Sequence, residues 1–359
     1  MSSDYNRPIA VPDGVIEPAL EVSNRTKIIC YRGDKSACFI YRIHIPMLYL
    51  ARNNKARYEI TVSSGISKDQ IGKFKLVILQ RQYDLNVLMP VLAMRKAGAK
   101  TVYEIDDDLF NVPDWNPSSR VLNTKKVQDG IKHFLANVDA MFVTTDALAA
   151  AYRNYCENIY VLPNSIDYEI VFPPGERNTI KPVVCWQGSY THAKDVAVAR
   201  AGFERLAKDK DILFKMWCGI TNDKQQEFDI PGAEVVPAVS FENFYQMSNQ
   251  IGMYVGLAPL STHPFNRGKS NLKFLEYTVY NAVTVASAFG PYRDTIEDGV
   301  TGILVSDNRD WYDKVRMVID DKVLHATLLE NAKKFVRENY SIEKNYKLWQ
   351  TAIEELLGE

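Results

Sequence analysis

Short apolar runs alternate with longer amphipathic stretches along most of the chain. In the first half the runs are 27–31, 58–62, 76–79, 101–105, 140–144 and 159–162, each four or five residues long. Runs of that length, rich in β-branched and aromatic side chains, predict buried strands. Helical patterns lie between them at 39–53, 85–97 and 147–154. The second of these stops at Gly98, and Asp146 stands where an N-cap would open the third. The second half shows the same alternation, with strands at 183–186, 212–217, 233–236, 252–257 and 283–286. It ends on three helical patterns, 311–319, 322–339 and 342–357. Strands alternating with helices predict an α/β fold with parallel sheets covered by helices on both faces. No sequence repeat relates the halves.

Residues 1–25 lack periodicity and read as a loose arm. The stretch PNSIDYEIVFPPGERNTIKP holds four prolines and marks a linker at 164–182. The chain thus divides into domains at 26–163 and 183–340, with a closing segment at 341–359. A length of 359 residues suits two cores rather than one. Open α/β domains bind ligands beyond the carboxyl ends of their strands, so the cleft between the domains is the expected site.

Composition narrows the class. Hydrophobic residues make up 46% and charged residues 24%, as in a soluble globular protein, and the net charge of −1 gives no general pull toward nucleic acid or anionic membrane. The five cysteines are odd in number and scattered, without a C-x-x-C pair, which argues against zinc and disulfide frameworks. The polar, proline-containing start does not read as a signal peptide. No apolar run reaches membrane-spanning length, so the expected compartment is the cytoplasm. The sequence leaves the oligomeric state open.

Candidate chemistry follows the predicted strands. Arg267, Gly268, Lys269, Ser270 and Asn271 form a basic, hydroxyl-rich turn before a helix. Gly268 allows close backbone approach, the amides of 270–272 face an anion at the helix start, and Lys269 adds charge. Lys273 lies one turn on, and Glu276 three residues further could accept both hydroxyls of a ribose diol. A solvated Lys–Glu pair is the alternative. Gly268-Lys269-Ser270 does not complete a P-loop, because His263 occupies the place of its first glycine. A second group lies in WQGSYTHAKD. Gly188 and Ser189 could hold phosphate oxygens, while His192 and Lys194 could neutralise a leaving diphosphate; a plain loop capped by Thr191 is the alternative. Asp106, Asp107 and Asp108 end a strand, where they could orient an acceptor hydroxyl or stabilise positive charge at a sugar, or simply cap a solvated loop. Arg32 with Gly33, and Arg81, also end strands and could clamp phosphate or an acidic acceptor, or form surface ion pairs.

LPNSIDYEIVFPP, WQGSYTHAKD, KSNLKFLEY and GPYRDTIEDGVTGILV together resemble the retaining family 4 (group 1) glycosyltransferases of the GT-B fold. The resemblance is closer over 163–357 than over 27–162. It implies two Rossmann-like domains facing a central cleft, with the last helix crossing back to the first domain. It also implies a nucleotide-diphosphate sugar, a UDP-sugar first and a GDP-sugar second, bound by the second domain without a divalent metal or a tightly bound cofactor. Lys269 and the amides of 270–272 would contact the diphosphate and Glu276 the ribose. The first domain would bind the acceptor, which could be a glycan, a lipid-linked sugar or a hydroxylated base in DNA. Two departures stand out: Gly268 occupies the place of the family's first glutamate, and the usual first-domain histidine is missing. A sugar-nucleotide epimerase and an inactive sugar-nucleotide binding module are the alternatives.

Overall fold

The computed structural model describes residues 13–16, 24–34, 36–171, 181–219 and 228–359. Most of the expected arm and the second half of the expected linker lie outside these residues. The first sheet contains β1 (Gly14–Ile16), β2 (Thr26–Tyr31), β3 (Tyr58–Ser63), β4 (Leu76–Gln80), β5 (Lys100–Ile105), β6 (Ala140–Val143) and β7 (Ile159–Val161). Their order is β1-β3-β2-β4-β5-β6-β7, and every pairing is parallel except β1 with β3. Gly14–Ile16 is therefore a paired edge strand and not part of a loose arm, with Ile16 opposite Ile60 and buried.

The second sheet contains β8 (Val183–Ser189), β9 (Leu213–Gly219), β10 (Glu234–Pro237), β11 (Met253–Ala258), β12 (Val283–Ser287) and β13 (Ile303–Val305). It is parallel throughout, in the order β10-β9-β8-β11-β12-β13. β4, β6 and β12 are buried along their whole length, as strands covered on both faces are, so their sequences are mostly apolar, with Gln80, Thr284 and Ser287 as buried polar exceptions. In each sheet the winding reverses once, between β2 and β4 and between β8 and β11, and open α/β sheets form their binding crevices at such points.

Three local differences from the sequence reading matter. The helical pattern at 39–53 is broken by a π turn, Ile40–His44, before the helix Ile45–Asn53. Pro46 supplies the cause: it has no N–H to give, and its ring crowds the carbonyl four residues back, so the turn widens. The cap of the helix Asp146–Tyr152 is Thr145, whose Oγ1 accepts the Leu148 N–H at 3.1 Å, rather than Asp146. The strand β13 was not expected at all.

The chain passes between the two sheets twice, side by side. Ile166 and Ser341 form a parallel bridge, with the Ile166 N–H bonded to Tyr340 O at 2.7 Å and the Ile342 N–H to Ile166 O at 2.9 Å. The helix Ile342–Leu357 then packs against Ile45–Asn53, and its Trp349 meets Phe142 of β6 edge-on at 5.5 Å. All five cysteines are free thiols, and among the described residues no helix is long and apolar enough to cross a membrane.

Candidate functional site

Residues that follow β2, β5, β8 and β11 line one cavity of about 500 Å³. Both reversal points contribute to it, which is the placement the winding order requires. Its wall has a cationic part, a single deep carboxylate and an aromatic end.

The cationic part comes from the helix Leu272–Val279 and the turn before it. Lys269 Nζ lies over the Phe265 ring, 4.5 Å from its centre, and 3.6 Å from Oδ1 of Asp107 in the opposite sheet's domain. Lys273 projects one turn deeper, and among the described residues no carboxylate forms an ion pair with it. Burial, and then the neighbouring Lys269 charge, lower its pKa to about 8. Two close ammonium groups, one of them unpaired, make a place for a multiply charged anion.

Across the cleft Arg81 gathers the acids. Its backbone is left-handed at φ 51°, an uncommon conformation for a residue with a Cβ. Its guanidinium reaches Asp34 at 3.7 Å, Asp106 at 3.1 Å and Asp107. Burial alone would raise the Asp107 pKa, but Lys269 and Arg81 outweigh it and hold the carboxyl below its usual value.

Glu276 is the deep carboxylate. Oε1 accepts from the Tyr41 hydroxyl at 2.9 Å and Oε2 from Gln187 Nε2 at 2.6 Å. Tyr41 sits on the π turn of the first domain and also meets the Tyr245 hydroxyl at 2.8 Å. Burial raises the Glu276 pKa to about 7 against the opposing effect of these bonds and of Lys273. Tyr277 supports the arrangement from behind. Its hydroxyl accepts the Gln187 N–H at 3.2 Å and donates to Leu257 O at 2.9 Å. Its ring lies flat on β11, where a Cβ at Gly256 would come within 2.3 Å of it, so only glycine fits there.

The aromatic end is built from Trp217, Phe241 and Phe244. Trp217 and Phe244 are stacked at 4.8 Å with their planes 20° apart, and Phe241 stacks on Phe244 at 5.9 Å. An apolar wall of this kind suits a flat, weakly polar ring. The cavity thus offers complementary surfaces for an anion, a diol and an aromatic base.

Of the residues singled out in the sequence, the wall contains Asp106, Asp107, Gly188, Ser189, His192, Lys269, Ser270, Leu272, Lys273 and Glu276. Others lie outside it. Asp108 turns back to accept the Phe110 N–H at 3.1 Å and Asn111 Nδ2 at 2.8 Å, closing the turn after β5. Lys194 faces solvent, since on its helix it is Asp195 that points inward. Arg267 pairs with Asp294, and Asn271 donates to Thr295 Oγ1 at 3.2 Å. Arg32 pairs with Asp13 at 3.0 Å, and the Gly33 N–H bonds Gln80 Oε1 at 3.2 Å. Gly268 is pressed against the first domain: its carbonyl accepts from Thr145 Oγ1 at 3.2 Å, and a Cβ there would lie 3.2 Å from Leu148. His192 is in the wall but is neutral, because burial and then Lys273 lower its pKa to about 4. In the unliganded cleft the cationic part of the wall is thus Lys269 and Lys273.

Sequence reasoning missed Tyr41, Gln187, Asp195 and the three stacked aromatics. Gln187 and Asp195 stood inside WQGSYTHAKD without being distinguished. Tyr41 sits in an apolar helical pattern, where it reads as core.

No protein-family model and no curated protein sequence matches the chain. Solved structures do. Sucrose-phosphate synthase from Thermosynechococcus elongatus superposes with a TM-score of 0.67 at 13% identity, covering 93% of this chain and 100% of that one. Anabaena HepE, in complex with UDP and glucose, gives 0.67 at 10% identity over 92% and 100% of the two chains. A glycosyltransferase from Rickettsia africae gives 0.64 at 12% identity over 93% and 99%. At these identities the likeness shows the fold, and the chain has the two-sheet GT-B architecture.

Proposed function

We propose that this chain is a glycosyltransferase that moves a sugar from a nucleotide-diphosphate sugar to an acceptor hydroxyl with retention at the anomeric carbon. The observation that carries the reading is the pair Lys269 and Lys273 in the cleft, with no ion pair to Lys273 among the described residues and Glu276 one turn behind. The diphosphate lies against the two ammonium groups and the amides that open the helix Leu272–Val279, with the Gly188–Ser189 turn beside it. Glu276 takes the ribose and the stacked aromatics the base. A UDP-sugar is the first choice of donor, in keeping with the UDP in the Anabaena complex, and a GDP-sugar the second.

The acceptor hydroxyl enters from the first domain, past Asp106 and Asp107, on the face from which the phosphate departs. The bond from the anomeric carbon to the phosphate oxygen breaks as the new carbon–oxygen bond forms, and the departing phosphate takes the acceptor's proton. Lys269 and Lys273 stabilise the charge that develops on the leaving group, which is where such sites gain most of their rate. Arg81 and Lys269 already neutralise Asp107, which supports a metal-free reaction. A glycan, a lipid-linked sugar and a hydroxylated DNA base all remain within this acceptor class.

A thermal-shift panel of nucleotide diphosphates and their sugars, with and without EDTA, tests the donor site. A donor at about a hundred times its dissociation constant adds about 2.7 kcal/mol of stability. A shift that survives EDTA is expected for one nucleotide family. Lys269→Ala should then lower turnover by about 10²- to 10³-fold with the melting temperature preserved. Unchanged turnover in that variant would remove Lys269 from the mechanism. Epimerised donor without transfer would replace the transferase by an epimerase, and tight binding without donor hydrolysis by an inactive module.

A further inference from the structure

His192 stands at the start of the helix Ala193–Lys208, in the cavity wall. Its Nδ1 lies 2.8 Å from Oδ2 of Asp195. Asp195 is buried, and its other oxygen is fully occupied: Oδ1 accepts from the Ser261 N–H at 2.8 Å, the Ser261 hydroxyl at 2.7 Å and Asn266 Nδ2 at 2.9 Å. The Ser261 and Asn266 nitrogens can only donate, so they fix the carboxylate as an acceptor in one orientation. Burial would raise the Asp195 pKa, yet the bonds from His192 and Ser261 bring it below the usual value. An ionised Asp195 facing a neutral ring places the ring proton on Nδ1 and leaves Nε2 as an acceptor.

The charged groups facing this ring are Lys269 and Lys273 from the second domain, Asp107 from the first, and Asp195 on its own helix. The two lysines add to burial in keeping the ring neutral. A neutral ring presenting a lone pair is the wrong partner for a phosphate oxygen, which brings only lone pairs of its own, and the right one for a hydroxyl. The anionic part of the ligand therefore belongs to Lys269 and Lys273, and the ring is left for a neutral, proton-donating part beside it.

We propose that Asp195 holds His192 in its Nδ1-protonated form so that Nε2 accepts a hydrogen bond from a hydroxyl of the sugar carried by the nucleotide donor. This rests on the donor reading above. His192 touches substrate in this scheme, and Asp195 is a positioning residue. Asp195→Asn is the informative change. The donors at Ser261 and Asn266 claim the Asn oxygen, so its amide nitrogen turns to His192 Nδ1. The ring proton then moves to Nε2, converting the acceptor into a donor, as the Asp-to-Asn change does in serine proteases.

Isothermal titration compares UDP with whichever of UDP-glucose, UDP-galactose and UDP-N-acetylglucosamine the wild type binds best. Asp195→Asn and His192→Phe should each bind UDP within about twofold of wild type and lose about tenfold in affinity for the sugar nucleotide, the size of one hydrogen bond. Equal losses for both ligands, or none, would overturn the proposal. Should the wild type bind no UDP ligand, GDP and GDP-mannose take their place in the same comparison; binding of neither nucleotide family makes the donor reading fail by itself, and long-range ¹H–¹⁵N NMR of the ring still tests the positioning. The His192 signals are those missing in His192→Phe. A neutral ring protonated at Nδ1 near pH 6 sustains the role of Asp195, and a ring protonated at Nε2 or charged at that pH refutes it.

Discussion

Arg42 and Glu104 show what single residues decide beneath the cleft. Neither is exposed, and Arg42 Nε donates to Glu104 Oε1 at 2.7 Å. Arg42 Nη1 also bonds Leu162 O at 2.5 Å and Asn164 Oδ1 at 3.2 Å, while the guanidinium lies over Trp349. One side chain thus ties β5, the crossover and the last helix together. Burial raises the Glu104 pKa to about 7 despite the partner charge. A carboxyl whose folded pKa lies above its unfolded value stabilises fully below the unfolded value and loses that contribution as pH rises through the folded one. Urea unfolding should therefore show stability falling between pH values near 4.5 and 7, and Glu104→Gln should flatten part of that slope. A slope identical in the variant would show that another group titrates. Arg42→Met should cost about 3–5 kcal/mol at neutral pH, because it leaves a buried carboxylate unpaired. No local pattern signals this pair: Arg42 lies in a helical pattern and Glu104 in a strand, 62 positions apart. The basic turn was legible because a glycine, a lysine and free helix amides are local features. Lys194 and Asp108 were misplaced because which way a residue at an element's end points is settled by packing.

At the scale of elements, hydrophobic period located the strands well, since parallel strands buried on both faces read as mostly apolar runs. It failed where an element is short, as in β1 and β13, or where the helical period is interrupted. The π turn Ile40–His44 is the consequential case. A π turn shifts the angular position of everything before it, and here it brings Tyr41 to Glu276 across the cleft. Period alone could not show this, although Pro46 inside a helical pattern was the available signal. Pro46→Ala restores a donor N–H and lets the turn tighten toward an α-helix. The variant should keep or raise its melting temperature, while Tyr41 leaves Glu276 and donor affinity falls by about tenfold, as expected for a ribose carboxylate that has lost its orienting bond. A donor affinity equal to that of wild type would mean that Tyr41 does not organise the ribose site.

The whole molecule is held by contacts that join residues far apart in sequence. Tyr41 with Glu276 and Tyr245, Asn164 with Ser270 at 3.0 Å, Thr145 with Gly268, and Lys269 with Asp107 all bridge the cleft or its hinge side. Architecture was readable because it follows from alternation, but these pairings were not, since no local pattern specifies them. They also give a physical reason for Gly268, where the resembled family carries a glutamate. The space beside its Cα is filled by Leu148, with Asp108 Cβ 3.7 Å from a Cβ placed there. A methyl at this position needs Leu148 to yield by only a few tenths of an ångström, and Gly268→Ala should cost at most about 1 kcal/mol. A glutamate adds a longer, charged side chain beside Leu148 and Asp108, which favours separation of the domains there. Gly268→Glu should therefore keep both folded cores but widen the cleft. Small-angle scattering should show a larger radius of gyration, and turnover should fall because Lys269 is drawn away from Asp107 and the acceptor side. If the variant scatters as the wild type does and keeps its turnover, the close approach at Gly268 is not what sets the distance between donor and acceptor walls.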